Sequence, residues 1–182
     1  MTGESKWRGW RNREIPLDME PGVPALLGLK SGLTSSFYAS GIRRTESEEE
    51  HGPTILGTHG NEEHRFMLNP KYTHVHLVRH VGREGSTGVA GWRLRRLPLT
   101  SARPLSGVVT GDVHDVLMCD PATRNITYSF DGNPYDSRIM YISPDGKRTR
   151  ELPRIGHLRG NLRIPGTGYL QIHSPKSWKI TA

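Results

Sequence analysis

The sequence predicts an all-β protein: a β-sandwich, of jelly-roll or immunoglobulin-like type, that follows an extended N-terminal arm. Short segments in which apolar and polar residues alternate recur from Thr54 onward, and this two-residue period is typical of half-buried strands. The 21 glycines and 13 prolines among 182 residues supply turns between such strands,. The apolar period of a three-turn amphipathic helix is not found,. Together these observations favour a sandwich over an α/β fold.

Residues 1–50 are predicted to form the arm, with a short segment that docks on the sandwich. Pro16, Pro21 and Pro24 favour an extended or turning chain,. The apolar block Val23–Leu29 is the docking segment, as a helical turn or an apolar contact. The charged stretch Arg43–Glu50 is predicted to be a loop that leads into the sandwich.

Residues 51–182 are predicted to form the sandwich domain. Asn125–Phe130 is a representative strand, because its apolar residues Ile126, Tyr128 and Phe130 share one face,. The turn Ser143–Lys147, with Pro ahead of Asp-Gly, follows a second such strand,. The other predicted strands lie at 65–68, 73–81, 91–97, 105–109, 113–118, 138–143, 162–164, 168–173 and 177–181.

The chain is basic, with a formal net charge of +7 and a pI of about 9.9. Residues 1–50 hold 7 Lys/Arg and 8 Asp/Glu, a net of −1, so the remaining 18 and 10 give residues 51–182 a net of +8. A basic surface suits nucleic acid, an acidic protein or another anionic surface.

Cys119 is the only cysteine, which excludes an internal disulfide and a thiolate metal cluster,. The N-terminal residues lack the apolar core of a signal peptide, and no run approaches 18 apolar residues,. We therefore expect a cytoplasmic or virion location and no membrane span.

The segment Gly111–Ile180 resembles a β-sandwich module common in actinobacterial proteins. The features that carry the resemblance follow in order along the chain: Gly111-Asp112, Phe130 with Gly132, Pro144–Gly146, Ile155-Gly156, Gly160, a Tyr-Leu-x-Ile strand at 169–172 and a Ser-Trp-x-Ile strand at 177–180. These motifs are structural, so the resemblance implies a binding or packing unit without an active site.

A histidine-rich strand is the sharpest candidate for a metal site. His74, His76 and His80 alternate along one predicted strand and point to the same face,, where imidazoles bind Zn²⁺, Fe or Cu if a further ligand is near. The His-x-His pattern is similar to part of the cupin motif, which implies a metal-dependent enzyme. His80 stands where that motif has a carboxylate, and hydrogen-bonded histidines on a half-exposed strand explain the pattern without a metal.

Basic residues interleaved with tryptophans point to binding, through stacking or through contacts with phosphates or carboxylates. The partner-binding candidates are Trp7, Arg8, Trp10, Arg11 and Arg13 in the arm, and Arg93, Arg95 and Arg96 in the sandwich. For the tryptophans, docking on the protein's own core is the alternative.

These observations predict a non-catalytic structural or interaction module that needs no cofactor. We expect a subunit of a larger protein assembly such as a virion, as a capsid decoration or minor structural protein, with other protein subunits as partners and the arm contacting neighbours. Two alternatives remain open: a basic β-domain that binds nucleic acid, and a cupin-like metal-dependent enzyme that uses His74 and His76.

Overall fold

The structure is a computed structural model that describes residues 5–20, 22–32, 35–58, 60–80, 91–122, 125–152 and 157–182. The prediction of an all-β fold is confirmed. Within these ranges the chain consists of strands, turns and one short 3₁₀ segment, Leu99–Ser101. The chain divides into two compact units, Met1–Pro98 and Leu99–Ala182, and each unit is a sandwich of its own.

The first unit contains eight described strands in two four-stranded sheets, with the orders β1-β8-β3-β6 and β2-β7-β4-β5. All of the pairs are antiparallel. The strands are β1 (Lys6–Gly9), β2 (Arg13–Pro16), β3 (Ala25–Ser31), β4 (Ser36–Arg44), β5 (Glu49–Gly57), β6 (Glu63–Leu68), β7 (His74–His80) and β8 (Trp92–Leu97).

One apolar cluster fills the first unit and draws side chains from both sheets. Leu27 and Leu29 of β3, Phe37 of β4 and Leu77 of β7 are each fully buried. Trp92, at the start of β8, is the largest buried side chain in the described part of the unit. Because Cβ atoms alternate along each strand, the residues between these core positions point away from the cluster.

The second unit contains the remaining strands, in sheets ordered β10-β17-β12-β15 and β14-β13-β16-β11-β9. A second apolar cluster joins them, with Phe130, Leu170 and Trp178 among its members. The strands are β9 (Arg103–Pro104), β10 (Val108–Gly111), β11 (Asp115–Cys119), β12 (Asn125–Phe130), β13 (Arg138–Ile142), β14 (Thr149–Leu152), β15 (Arg159–Arg163), β16 (Gly168–His173) and β17 (Trp178–Thr181).

The two units have the same topology. If β9 is set aside, β10 to β17 pair in the same order as β1 to β8: first strand with eighth, eighth with third, and third with sixth. The second sheet of each unit also corresponds: its strands lie side by side in the order second, seventh, fourth and fifth. Eight antiparallel strands in this order form a jelly roll. Of the two sandwich types predicted, the structure therefore has the jelly roll, and it has two in tandem.

The same glycine and tryptophan pair joins the first and last strands of each jelly roll. Gly9 lies opposite Trp92 and Gly111 opposite Trp178. In both pairs a Cβ on the glycine would overlap the indole ring. Trp92 donates its indole N–H to the Arg11 carbonyl at 2.9 Å, and Trp178 donates to the carbonyl of Val113 at 2.8 Å. In each unit the acceptor is the second residue after the glycine.

The predicted boundary at residue 50 is corrected, because it lies inside β5 and the division falls between Pro98 and Leu99. Residues 1–50 are not an extension of a sandwich. They supply four strands and part of a fifth to the first jelly roll. The docking segment is β3, which lies between β6 and β8 and is buried on both faces. A continuous apolar run is typical of such a central strand.

Candidate functional site

The outer face of the β1-β8-β3-β6 sheet concentrates basic side chains. Register places Arg8 opposite Arg93 and Arg93 opposite Lys30, so three cations lie side by side on neighbouring strands. Arg8, Arg93 and Lys30 thus form a first row across the strands. Two residues away along each strand, Lys6 and Arg95 lie opposite each other in a second row. Neighbouring strands are about 4.8 Å apart, and the two rows are about 7 Å apart. We call this surface, formed by Lys6, Arg8, Lys30, Glu63, Arg93 and Arg95, the basic face.

The basic face lines an open groove of about 650 Å³, which also borders Trp7 and Leu94. The lining contains five cations and one carboxylate. A second hollow, of about 710 Å³, shares Arg8, Lys30 and Arg93 with the groove and reaches Trp10. Cations held close together on one surface create a positive potential that attracts an anionic ligand.

Glu63 is the carboxylate of this groove, and it bonds across an intervening strand. It stands on β6 and accepts the Arg95 Nε–H at 2.9 Å, with a second bond from the Arg95 terminal nitrogen. The strand between them presents Gly28, where a Cβ would come within 2.9 Å of the Glu63 carboxyl carbon. A glycine at this position therefore leaves room for the ion pair that orients Arg95.

Trp10 is the exposed aromatic residue beside the cation row, two residues beyond Arg8 along the chain. Its side chain is 64% exposed, although a tryptophan is usually among the more buried residues,. The indole lies over Gly91, where a Cβ would approach the ring to 3.1 Å. One side of the ring is thus positioned by the backbone, while most of its surface is open to a ligand.

Predicted partner-binding residues from distant parts of the chain meet on this surface. Arg8 and Trp10 come from the N-terminal segment, and Arg93 and Arg95 come from β8. Trp7 borders the groove and also packs against the core, as expected if the tryptophans dock on the protein's own core. The N-terminal segment is not a free arm, because residues 6–9 pair with β8 and residues 13–16 pair with β7.

The other predicted residues lie elsewhere. Arg96 donates to the Asp18 carbonyl, Arg13 lies opposite Leu77 in the other sheet, and Arg11 contributes its carbonyl to the Trp92 indole. Sequence reasoning missed Lys30 and Glu63, which come from different strands. Basic residues at alternate positions, as in Lys6 with Arg8, were the available signal for the face.

The corresponding face of the second unit has different chemistry. Thr110, Lys179, Ser129 and Arg159 occupy the row that corresponds to Arg8, Arg93, Lys30 and Glu63. A hollow of about 440 Å³ there borders Asp112, Asp131 and Lys179. The net charges of the two units nevertheless differ little. Residues 1–98 hold 14 Lys/Arg and 11 Asp/Glu, a net of +3, and residues 99–182 hold 11 Lys/Arg and 7 Asp/Glu, a net of +4. The basic face is therefore a local concentration.

The histidines of β7 have separate neighbours. His74 bonds through Nδ1 to the Thr73 hydroxyl at 2.8 Å, the His76 ring stands 5.8 Å from that of His51, and His80 packs edge-on to Tyr38. Over the ranges that the structure describes, no group of three or more His, Cys, Asp or Glu residues is arranged to hold a metal ion. The predicted metal site at His74, His76 and His80 is thus not assembled by these residues.

Two titratable groups of the second unit have shifted pKa values because they are buried. Burial raises the pKa of the Cys119 thiol to about 12, with a smaller contribution from Asp120. Burial also lowers the pKa of His173 well below its ordinary value, and nearby His114 and Arg138 act in the same direction. Both groups are therefore held neutral near pH 7.

No family model and no curated protein sequence matches this chain significantly. Among solved structures, PBSX exported protein XepA aligns with 99% of this chain and 84% of its own, at 9% identity and a TM-score of 0.31. A Parabacteroides distasonis protein (98% and 86%, 9% identity) and the CUB1-EGF-CUB2 domains of rat MASP-1 (99% and 91%, 9% identity) score 0.27 and 0.23. At such TM-scores these likenesses carry no conclusion, so strand order alone assigns the fold.

The described part of the chain has no helix with the length and apolar character needed to cross a membrane. By its fold and surface, the protein is a tandem jelly roll with a basic groove on its first unit.

Proposed function

We propose that this protein is a non-catalytic interaction module, a subunit of a larger protein assembly such as a virion, and that it holds an anionic partner surface on its basic face. The observation that carries the proposal is the groove lined by five cations and one carboxylate. In a virion this role corresponds to a capsid decoration or minor structural protein, and the protein works there or in the cytoplasm without a cofactor.

The proposed contact surface is a folded sheet and not a free arm. Pairing of β1 with β8 orders Lys6 and Arg8 beside Arg93 and Arg95 before any partner binds. Side chains held on a rigid sheet lose less conformational entropy on binding than those of a flexible arm.

Sedimentation from the native lysate on a density gradient tests the proposal. Arg8→Glu/Arg93→Glu reverses two charges of the basic face, and Arg159→Glu/Arg163→Glu is the matched control on exposed strand positions of the second unit. We expect the wild type and the control to sediment fast as part of an assembly, and the Arg8→Glu/Arg93→Glu protein to sediment slowly as a free species.

Fast sedimentation of the Arg8→Glu/Arg93→Glu protein would overturn the basic face as the contact surface. Slow sedimentation of the wild type would overturn the assembly role itself. Circular dichroism of each purified variant checks that a slow species is still folded.

A further inference from the structure

We propose that the basic face and Trp10 form a binding site for single-stranded nucleic acid. This inference rests on the proposed function, because it names the partner that the basic face holds. The observation behind it is that an exposed indole stands beside the row of cations formed by Arg8, Arg93 and Lys30. Arg8, Lys30 and Arg93 line both the hollow that reaches Trp10 and the main groove, so one ligand strand can contact all of them.

The cations suit a chain of phosphates. Two rows about 7 Å apart, on strands about 4.8 Å apart, offer charge along two directions of the surface. Arginine guanidinium groups bind phosphate oxygens through two parallel hydrogen bonds, and arginine supplies three of the five cations,. Glu63 accepts hydrogen bonds from Arg95 and holds that side chain over Gly28. The other four cations, Lys6, Arg8, Lys30 and Arg93, also line the groove.

Trp10 suits a base. Its indole rests against the backbone at Gly91 and is 64% exposed, so an unstacked base can lie on the ring. Stacking of this kind tolerates any base sequence, since every base has a π-face. A Cβ at Gly91 would stand 2.8 Å from the Gly9 carbonyl oxygen and 3.1 Å from the Trp10 ring, so the glycine lets the indole lie close to the backbone and leaves its other side to a base.

These features favour a single strand over a duplex and over an acidic protein. In a duplex the bases are stacked on one another, so their faces are not available to Trp10. The described part of the first unit also presents no helix to enter a major groove,. An acidic protein would satisfy the cations, but carboxylates give an exposed indole no planar ring to stack on.

Fluorescence anisotropy with a labelled 12-nucleotide oligo(dT) tests the proposal on the full chain. If five cations contact phosphates, the affinity should fall with a log–log salt slope of about −3.5, or about 100-fold between 50 and 200 mM salt. Arg8→Glu/Arg93→Glu should flatten that slope, and the Arg159→Glu/Arg163→Glu control should leave it unchanged. Trp10→Ala should weaken binding by about 5- to 150-fold, the loss expected for one stacked base. Trp10→Phe, which keeps an aromatic ring, should retain more affinity than Trp10→Ala.

Two probes separate the outcomes. Equal binding of the oligo(dT)·oligo(dA) duplex, or unchanged binding by Trp10→Ala, would overturn the single-strand site. Binding of a poly-glutamate peptide without binding of oligo(dT) would also overturn it, while leaving the basic face as the contact surface of an assembly. If neither oligo(dT) nor poly-glutamate binds and the Arg8→Glu/Arg93→Glu protein still sediments fast, the basic face is rejected as a contact surface and the proposed function fails as well.

Discussion

Replacing Gly111 with alanine tests the glycine and tryptophan pair that joins the first and last strands of the second jelly roll. Gly111 lies opposite Trp178, and a Cβ at this position would stand 2.6 Å from Cε2 and 3.0 Å from Nε1 of the indole. Optimal contact between non-bonded carbon atoms is about 3.5–4.0 Å. The ring must therefore retreat by roughly 1 Å to accommodate the methyl group.

The expected cost follows from what holds the ring in place. Trp178 is 3% exposed and belongs to the apolar cluster of its unit, and overfilling a packed core costs about 1–3 kcal/mol. Retreat of the ring also weakens its bond to the Val113 carbonyl, worth about 0.5–1.5 kcal/mol. Against this, alanine restricts the unfolded chain and stabilises the protein by about 0.4–1 kcal/mol. The net is a destabilisation of about 2 kcal/mol.

Differential scanning calorimetry checks this expectation. For a domain of this size about 2 kcal/mol lowers Tm by about 8–16 °C. Gly166→Ala is the matched control in the same unit, because a Cβ at Gly166 meets no atom within 4 Å and its backbone is outside the left-handed region. A Gly111→Ala protein that melts within about 2 °C of the Gly166→Ala protein would refute the reasoning.

Three further predictions concern single side chains. The Cys119 thiol should not react with a thiol reagent at pH 8 in the folded protein, because burial raises its pKa to about 12. It should react once the protein is unfolded in urea. Rapid reaction of the folded protein would contradict this prediction. Burial lowers the pKa of His173 below the unfolded value of about 6.5,, so its contribution to stability is complete above pH 6.5 and is lost as the pH falls from there. Urea midpoints between pH 7.5 and 5 should show this loss, and a His173→Gln protein with the same pH dependence would argue against it. Glu63→Gln removes the negative charge from the groove. Oligo(dT) affinity should therefore rise about fivefold at 50 mM salt, because repulsion between the carboxylate and a phosphate, roughly 1 kcal/mol, is lost. A lower affinity would contradict this and show that the orientation of Arg95 matters more.

Strands with clear alternation could be predicted from the sequence, and strands without it could not. β12 and β16 have the predicted bounds, because aromatic and aliphatic residues alternate with polar ones through each. β3 lacks alternation because it is buried on both faces, and its continuous apolar run is equally compatible with a docking segment. β1 and β2 have four residues each, too few for a periodic signal. The division after Pro98 was missed because no Gly/Ser-rich or charged linker marks it.

The residues of the basic face were predicted in part, and their assembly was not. Clusters of arginine and tryptophan near residues 7–13 and 92–96 could be recognised by composition alone. That Arg8 lies beside Arg93 depends on the pairing of β1 with β8, a contact between opposite ends of the first unit. Lys30 carries no local signal, since it is a lone charged residue in an apolar stretch. Glu63 follows Glu62 in the sequence, but its role depends on its sheet neighbours.

The two jelly rolls share the residues that join their first and last strands and differ in the outward residues, among them those of the proposed binding surface. The positions that point inward or between strands correspond in both units: Gly9 with Trp92, and Gly111 with Trp178. The outward positions of the same strands differ, with Arg93 in one unit and Lys179 in the other, flanked by cations in the first and by hydroxyl groups in the second. Since successive side chains of a strand point to opposite faces, outward residues can change without disturbing the core. Substitutions on the basic face should therefore alter binding and leave Tm nearly unchanged, whereas substitutions at the glycines should lower Tm first and affect binding only through unfolding.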